Sequence, residues 1–113
     1  MTLLHLALAD ELAECAGQPT YAPGGFVDEG FIHCCWPGQL VGVISRYYQG
    51  RADLILLELD RDALAAILVE ENLMGGDEKF PHLYGEIPLG AIQQQFPLAL
   101  DDKQQVVVPT FSA

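Results

Sequence analysis

Residues 2–8 read Thr-Leu-Leu-His-Leu-Ala-Leu. An apolar run this short, broken once by His5, predicts a buried strand. Asp10 stands where it can cap a short helix over 11–16, with Leu8, Leu12 and Cys15 near helical spacing and Gly17 as the stop. Residues 17–25 hold three glycines and two prolines around Tyr21 and predict a loop. A short strand follows at 30–34. Pro37-Gly38 then opens a helix whose Leu40, Val41, Ile44, Tyr47 and Tyr48 fall on one stripe, and Gly50 closes it.

The second half is richer in strands. Residues 53–59 contain the unbroken apolar run Leu54 to Leu57 and predict a central strand. Asp60 is a plausible N-cap for a helix at 61–68, with Leu64, Ile67 and Leu68 turned inward. Gly75 to Lys79 form a polar loop. Residues 80–88 are partly extended, residues 91–99 predict a strand, and the valine-rich 104–109 predict a last one. Strands and helices alternate early and strands dominate late. The expected fold class is α+β: a single compact domain over 1–113, its sheet mixed or mostly antiparallel, with two or three helices packed against it.

Composition supports a self-sufficient core. The chain has 113 residues, half of them apolar, enough to bury roughly two-thirds of its unfolded surface without disulfides or metal. Charge narrows the partners. Five Lys and Arg face sixteen Asp and Glu, for a net −11. Nucleic-acid binders carry a basic stripe, so neither nucleic acid nor an anionic membrane is an expected partner, whereas a small, even phosphorylated, ligand is. No segment reaches the ~20 apolar residues of a membrane helix. The N-terminus lacks a basic leader, and the three cysteines, Cys15, Cys34 and Cys35, fit free thiols in a reducing cytoplasm. The expected state is a monomer or weak homodimer.

Candidate chemistry gathers in two blocks, Gly30-Phe31-Ile32-His33 and Phe80-Pro81-His82-Leu83-Tyr84-Gly85. His33-Cys34-Cys35 with His82 are soft-metal ligand types, but adjacent strand cysteines point to opposite faces, and no zinc-type spacing occurs; no metal is expected. A Cys–His nucleophile pair would need a positive field that the local sequence lacks apart from the histidines. His5, His33 and His82, with Tyr21, Tyr48 and Tyr84, would form a polar aromatic pocket if they converge, and each histidine could equally be a satisfied core group. Glu70-Glu71 is either a solvated helix end or a source of a carboxylate for such a pocket. There is no G-x-G-x-x-G and no P-loop. Proline forces Phe80 toward extended geometry, and Gly85 permits a turn.

The blocks Glu29-Gly30-Phe31-Ile32-His33-Cys34, Gln39, Arg46-Tyr47-Tyr48-Gln49-Gly50, Asp53 to Leu57, Glu70 and Phe80 to Gly85 resemble the short bacterial proteins of domain of unknown function family 952, over nearly the whole chain. The resemblance implies a compact α+β fold of ADP-ribosyltransferase-like type, in which NAD is a substrate rather than a resident cofactor. It implies catalytic roles for His5, His33 and Glu70. It implies ligand-binding roles for Tyr21, Gly30, Phe31, Gln39, Arg46, Tyr48, His82 and Tyr84. The chain departs from the family pattern at Leu12, at Cys35-Trp36-Pro37 and at Glu86. Two functions follow as expectations: an enzyme or degenerate enzyme acting on NAD or a related nucleotide, or a non-catalytic module that binds a small ligand or a protein.

Overall fold

The computed structural model describes residues 2–73 and 75–109. Strand β1 (Leu3–Leu8) runs straight into helix α1 (Ala9–Glu14). The helix starts one residue ahead of the expected Asp10 cap, and no side chain caps it. Within the expected loop, β2 (Thr20–Tyr21) pairs with β7 (Ile87–Pro88), and α2 (Phe26–Glu29) leads to β3 (Ile32–His33). A 3-10 turn at Pro37–Gln39 opens α3 (Leu40–Tyr47); β4 (Leu54–Leu59), β5 (Ile67–Glu71), β6 (Phe80–Tyr84) and β8 (Ile92–Pro97) complete the order. The fold class is α+β, and every strand pair among the described residues is antiparallel.

Two three-stranded sheets, β1-β4-β8 and β3-β6-β5, carry the architecture. They meet through a backbone bridge between Leu4 and Cys35, whose N–H groups each donate to the other's carbonyl at 2.9 and 2.8 Å. In the first sheet β1 and β4 are covered on both faces, which is why they read as nearly continuous apolar runs, while β8 is mostly exposed. On one face Leu3, Ala7, Leu57 and Leu59 pack with Tyr21, Ile32, Leu83 and Ile87. On the other, Leu4, Leu6, Leu54 and Leu56 pack under Leu40 and Ile44 of α3. Burying each of these leucines contributes about 1.5–3 kcal/mol.

Two expected elements are different. The helix at 61–68 is a 3-10 turn, Arg61–Ala63, followed by β5. Asp60 does cap, accepting from the Asp62 N–H at 3.0 Å, but Leu64 is already extended at φ −90°, ψ 122°. Leu64, Ala66 and Leu68 then pack against the core at a period of two, while Ile67 stays 71% exposed. The spacing of Leu64, Ile67 and Leu68 suits either geometry, and pairing with β6 decides it. The strand expected at 104–109 is reduced to one bridge, Leu100 to Val106. Gly85 is not a positive-φ turn residue; a Cβ there would lie 2.5 Å from the Cβ of Ala66, so glycine is required for close approach.

Candidate functional site

Strand alternation sorts the second sheet into two faces. Ile32 pairs with Leu83, and Leu83 with Leu68, on the core side. His33 pairs with His82, and Phe80 with Glu71, on the other side. Phe31, His33, Phe80, His82, Tyr84 and Glu71 therefore share the outward face, which borders a cleft of about 830 Å³ against Leu6, Cys35, the α3 side chains Val43, Arg46 and Tyr47, and Tyr48 just past the helix. That volume suits a drug-sized or nucleotide-sized ligand. A shallower depression of about 470 Å³ beside Asp60 and Arg61 has no ring and no histidine in its lining.

The cleft residues hold one another. The Phe31 ring stacks on His82 at 4.3 Å, and His33 meets His82 edge-on at 5.2 Å. Glu71 Oε1 accepts from His82 Nδ1 at 3.0 Å and also from the Tyr84 hydroxyl. These two donors, the tyrosine above all, hold the Glu71 carboxyl below the ordinary carboxylate range, so it is an anion at neutral pH. His33 Nε2 lies 2.8 Å from Glu29 Oε2, one helical turn away in sequence. Arg46 bonds the Gly42 carbonyl, reaches Glu78 at 3.3 Å and lies 5.7 Å from the Phe80 ring centroid. Burial pushes the Tyr48 hydroxyl up.

Of the residues singled out from sequence, Phe31, His33, Arg46, Tyr48 and His82 line this cleft, and Tyr84 joins it through Glu71 and through ring contact with Phe31 at 5.4 Å. Others lie elsewhere. His5 is buried on the core side of β1; its Nδ1 lies 2.6 Å from the His33 carbonyl and its Nε2 2.9 Å from the Tyr21 hydroxyl. A carbonyl only accepts, so Nδ1 carries the proton and Nε2 receives the Tyr21 O–H. Burial lowers the His5 pKa to about 4. Glu70 alternates away from the cleft and accepts from Trp36 Nε1 at 2.9 Å. Gly30 ends α2 in the left-handed region at φ 81°, its N–H donating to Phe26 O at 2.7 Å. Gln39 braces the loop before β6, donating to Lys79 O at 2.7 Å while accepting from the Trp36 N–H.

Sequence reasoning missed Glu71 and Glu29 as partners of the two cleft histidines. For Glu71 the usable signal was the apolar run Ile67-Leu68-Val69, two of its three residues β-branched: as a strand, it puts Glu71 rather than Glu70 beside His82. For Glu29 it was the four-residue spacing to His33. Burial raises both adjacent thiols, Cys35 to about 12 and Cys34 further, so both stay protonated. They sit in different core clusters, and among the described residues no three His, Cys, Asp or Glu side chains could hold a metal ion together.

The fold has relatives among solved structures. The crystal structure of protein CC0527 from Caulobacter crescentus matches with a TM-score of 0.81 and 23% identity, covering 95% of this chain and 94% of that one. The solution structure of the same protein matches with a TM-score of 0.77 and 24% identity over 93% and 90% of the two chains. None of the curated proteins matches. The family model described as Protein of unknown function (DUF952) matches residues 6–95, and the chain belongs to that family.

Proposed function

We propose that the cleft binds NAD or a related nucleotide and that the protein acts at the N-glycosidic bond of that ligand, in the manner of an ADP-ribosyltransferase-like enzyme. The observation that carries this reading is the state of Glu71. Its Oε1 is engaged by His82 and Tyr84, and among the described residues nothing bonds its Oε2. An ionised carboxylate fixed at one oxygen and open at the other is suited to a ribosyl carbon as positive charge develops on it. The cleft wall is mostly apolar, with a few charged side chains set into it. Arg46 on α3 supplies a cation for a diphosphate, Glu29 at the end of α2 and Glu71 on β5 supply anions, and Phe31, Phe80 and Tyr48 supply rings for a base. In this reading Glu71 takes the role that the family resemblance offered to Glu70.

The test is a thermal-shift series with NAD, ADP-ribose and nicotinamide, followed by a nicotinamide-release assay on wild type and Glu71→Gln. At one hundred times its dissociation constant a ligand adds ~2.7 kcal/mol of stability. Glu71→Gln should lower turnover by ~100-fold or more. Absence of any nucleotide shift refutes the proposal.

A second reading, a non-catalytic ligand-binding module, is favoured by the hydrogen bonds that His5, His33 and His82 make within the protein. It predicts a shift with NAD and no release of nicotinamide.

A further inference from the structure

We propose that His82 is the general base of the cleft, removing the proton from the water or alcohol hydroxyl that attacks the ribosyl carbon. This assignment rests on the glycosidic reading above and adds the class of acceptor: a neutral O–H nucleophile, which has a proton to lose.

Three observations single out His82 among the three histidines. The first is its tautomer. Nδ1 faces an ionised carboxylate oxygen at 3.0 Å, which can only accept, so Nδ1 carries a proton and the lone pair of the neutral ring lies on Nε2. The second is access. Among the described residues no group bonds Nε2, and no buried side-chain nitrogen or oxygen lacks a partner. His82 is 5% exposed and lines the cleft, so the small exposure left to Nε2 opens there. The third is rigidity. Phe31 stacks on the ring at 4.3 Å and His33 abuts it at 5.2 Å, so the imidazole holds its direction. The other two histidines lack this combination. Both His5 nitrogens are taken by the protein, and the His33 side chain is 59% exposed and tied to Glu29.

The step balances without a redox partner. The nucleophile's oxygen bonds to the ribosyl carbon, and its proton moves to His82 Nε2. The carbon–nitrogen bond breaks, and its electron pair neutralises the departing nicotinamide. The imidazolium that forms is stabilised by Glu71, then releases its proton to solvent. The charged or titrating groups facing His82 are Glu71, Tyr84 through Glu71, His33 with its partner Glu29, and Arg46 on the α3 side of the cleft.

The experiment measures nicotinamide release from NAD by wild type and His82→Gln across pH, with and without sodium azide. The expected result is a ~100-fold or greater fall in kcat with KM little changed. Azide, an anion with no proton to lose, should restore the variant's rate at least tenfold and leave the wild type unaffected. A purely structural histidine would not produce that rescue. Undiminished release by a folded His82→Gln variant, or loss of activity without azide rescue, overturns this assignment alone. No release by the wild type overturns the glycosidic reading and this assignment with it. Should the variant fail to fold, nitrogen NMR of wild-type His82 decides: a proton on Nδ1 and none on Nε2 at neutral pH supports the assignment, and the opposite tautomer overturns it.

Discussion

Acidification from pH 7.5 to 5 should destabilise the protein through His5, a residue outside the cleft. In the unfolded chain this imidazole takes its proton at the ordinary value of 6.5; in the core, burial holds it to about 4. The unfolded state therefore binds the extra proton first. The neutral histidine's stabilising effect is fully present above pH 6.5 and is lost as pH falls from 6.5 toward 4. The gap of 6.5 − 4 = 2.5 pH units at ~1.36 kcal/mol each sets an upper bound of about 3 kcal/mol. At pH 5 the loss is about 2 kcal/mol, a large part of the ~5–15 kcal/mol that holds a domain together. Urea unfolding at half-unit steps measures it. His5→Gln supplies the control, because an amide can still donate to the His33 carbonyl and accept from Tyr21 while having no proton to gain. The wild-type curve should fall toward the variant's as pH drops. Glu71 and Asp53, both held below the ordinary carboxylate range by hydrogen bonds, lose their contributions only at lower pH. Parallel curves for wild type and His5→Gln between pH 6.5 and 5 would refute the reasoning.

Two further outcomes can be checked independently. Gly85→Ala should cost about 1–3 kcal/mol, because its new Cβ meets the Ala66 Cβ at 2.5 Å; adding Ala66→Gly should recover much of that loss in a melting experiment, and a single variant as stable as wild type would contradict the packing argument. Arg46→Gln should weaken ADP-ribose binding by ~10-fold, about 1.4 kcal/mol, while leaving adenosine unchanged in calorimetry; equal losses for both ligands would show that the guanidinium does not read the phosphates.

The sequence pattern is informative where one face is buried in an unbroken run. Leu54, Leu56 and Leu57 announce β4, and Leu40 and Ile44 announce α3, because their partners cover them, although Val41 and Tyr47 of the same expected stripe are exposed. It misleads where only half the spacing is used. Leu64, Ile67 and Leu68 match a helix stripe, yet Ile67 points to solvent on an edge strand. That one assignment hid Glu71, since two consecutive glutamates look alike until the strand's alternation separates them. The Phe31, His33 and His82 side of the site was visible in its motifs. His5 was visible too, but its destination depends on a contact with Tyr21 sixteen residues away, which no local spacing encodes.

The stretch from Phe31 to Trp36 has a further consequence. Phe31 and His33 line the cleft, Ile32 and Trp36 belong to a core cluster, and the buried Cys34 and Cys35 belong to core clusters and border the cleft as well. A single six-residue ribbon thus carries two interleaved instructions, one for chemistry and one for folding. A change at Phe31 or His33 can redirect what the cleft accepts while the core clusters keep their fill, whereas inserting or deleting one residue there would exchange the faces of Ile32 and His33. Reshaping this site by substitution is therefore open, and reshaping it by a change of length is closed.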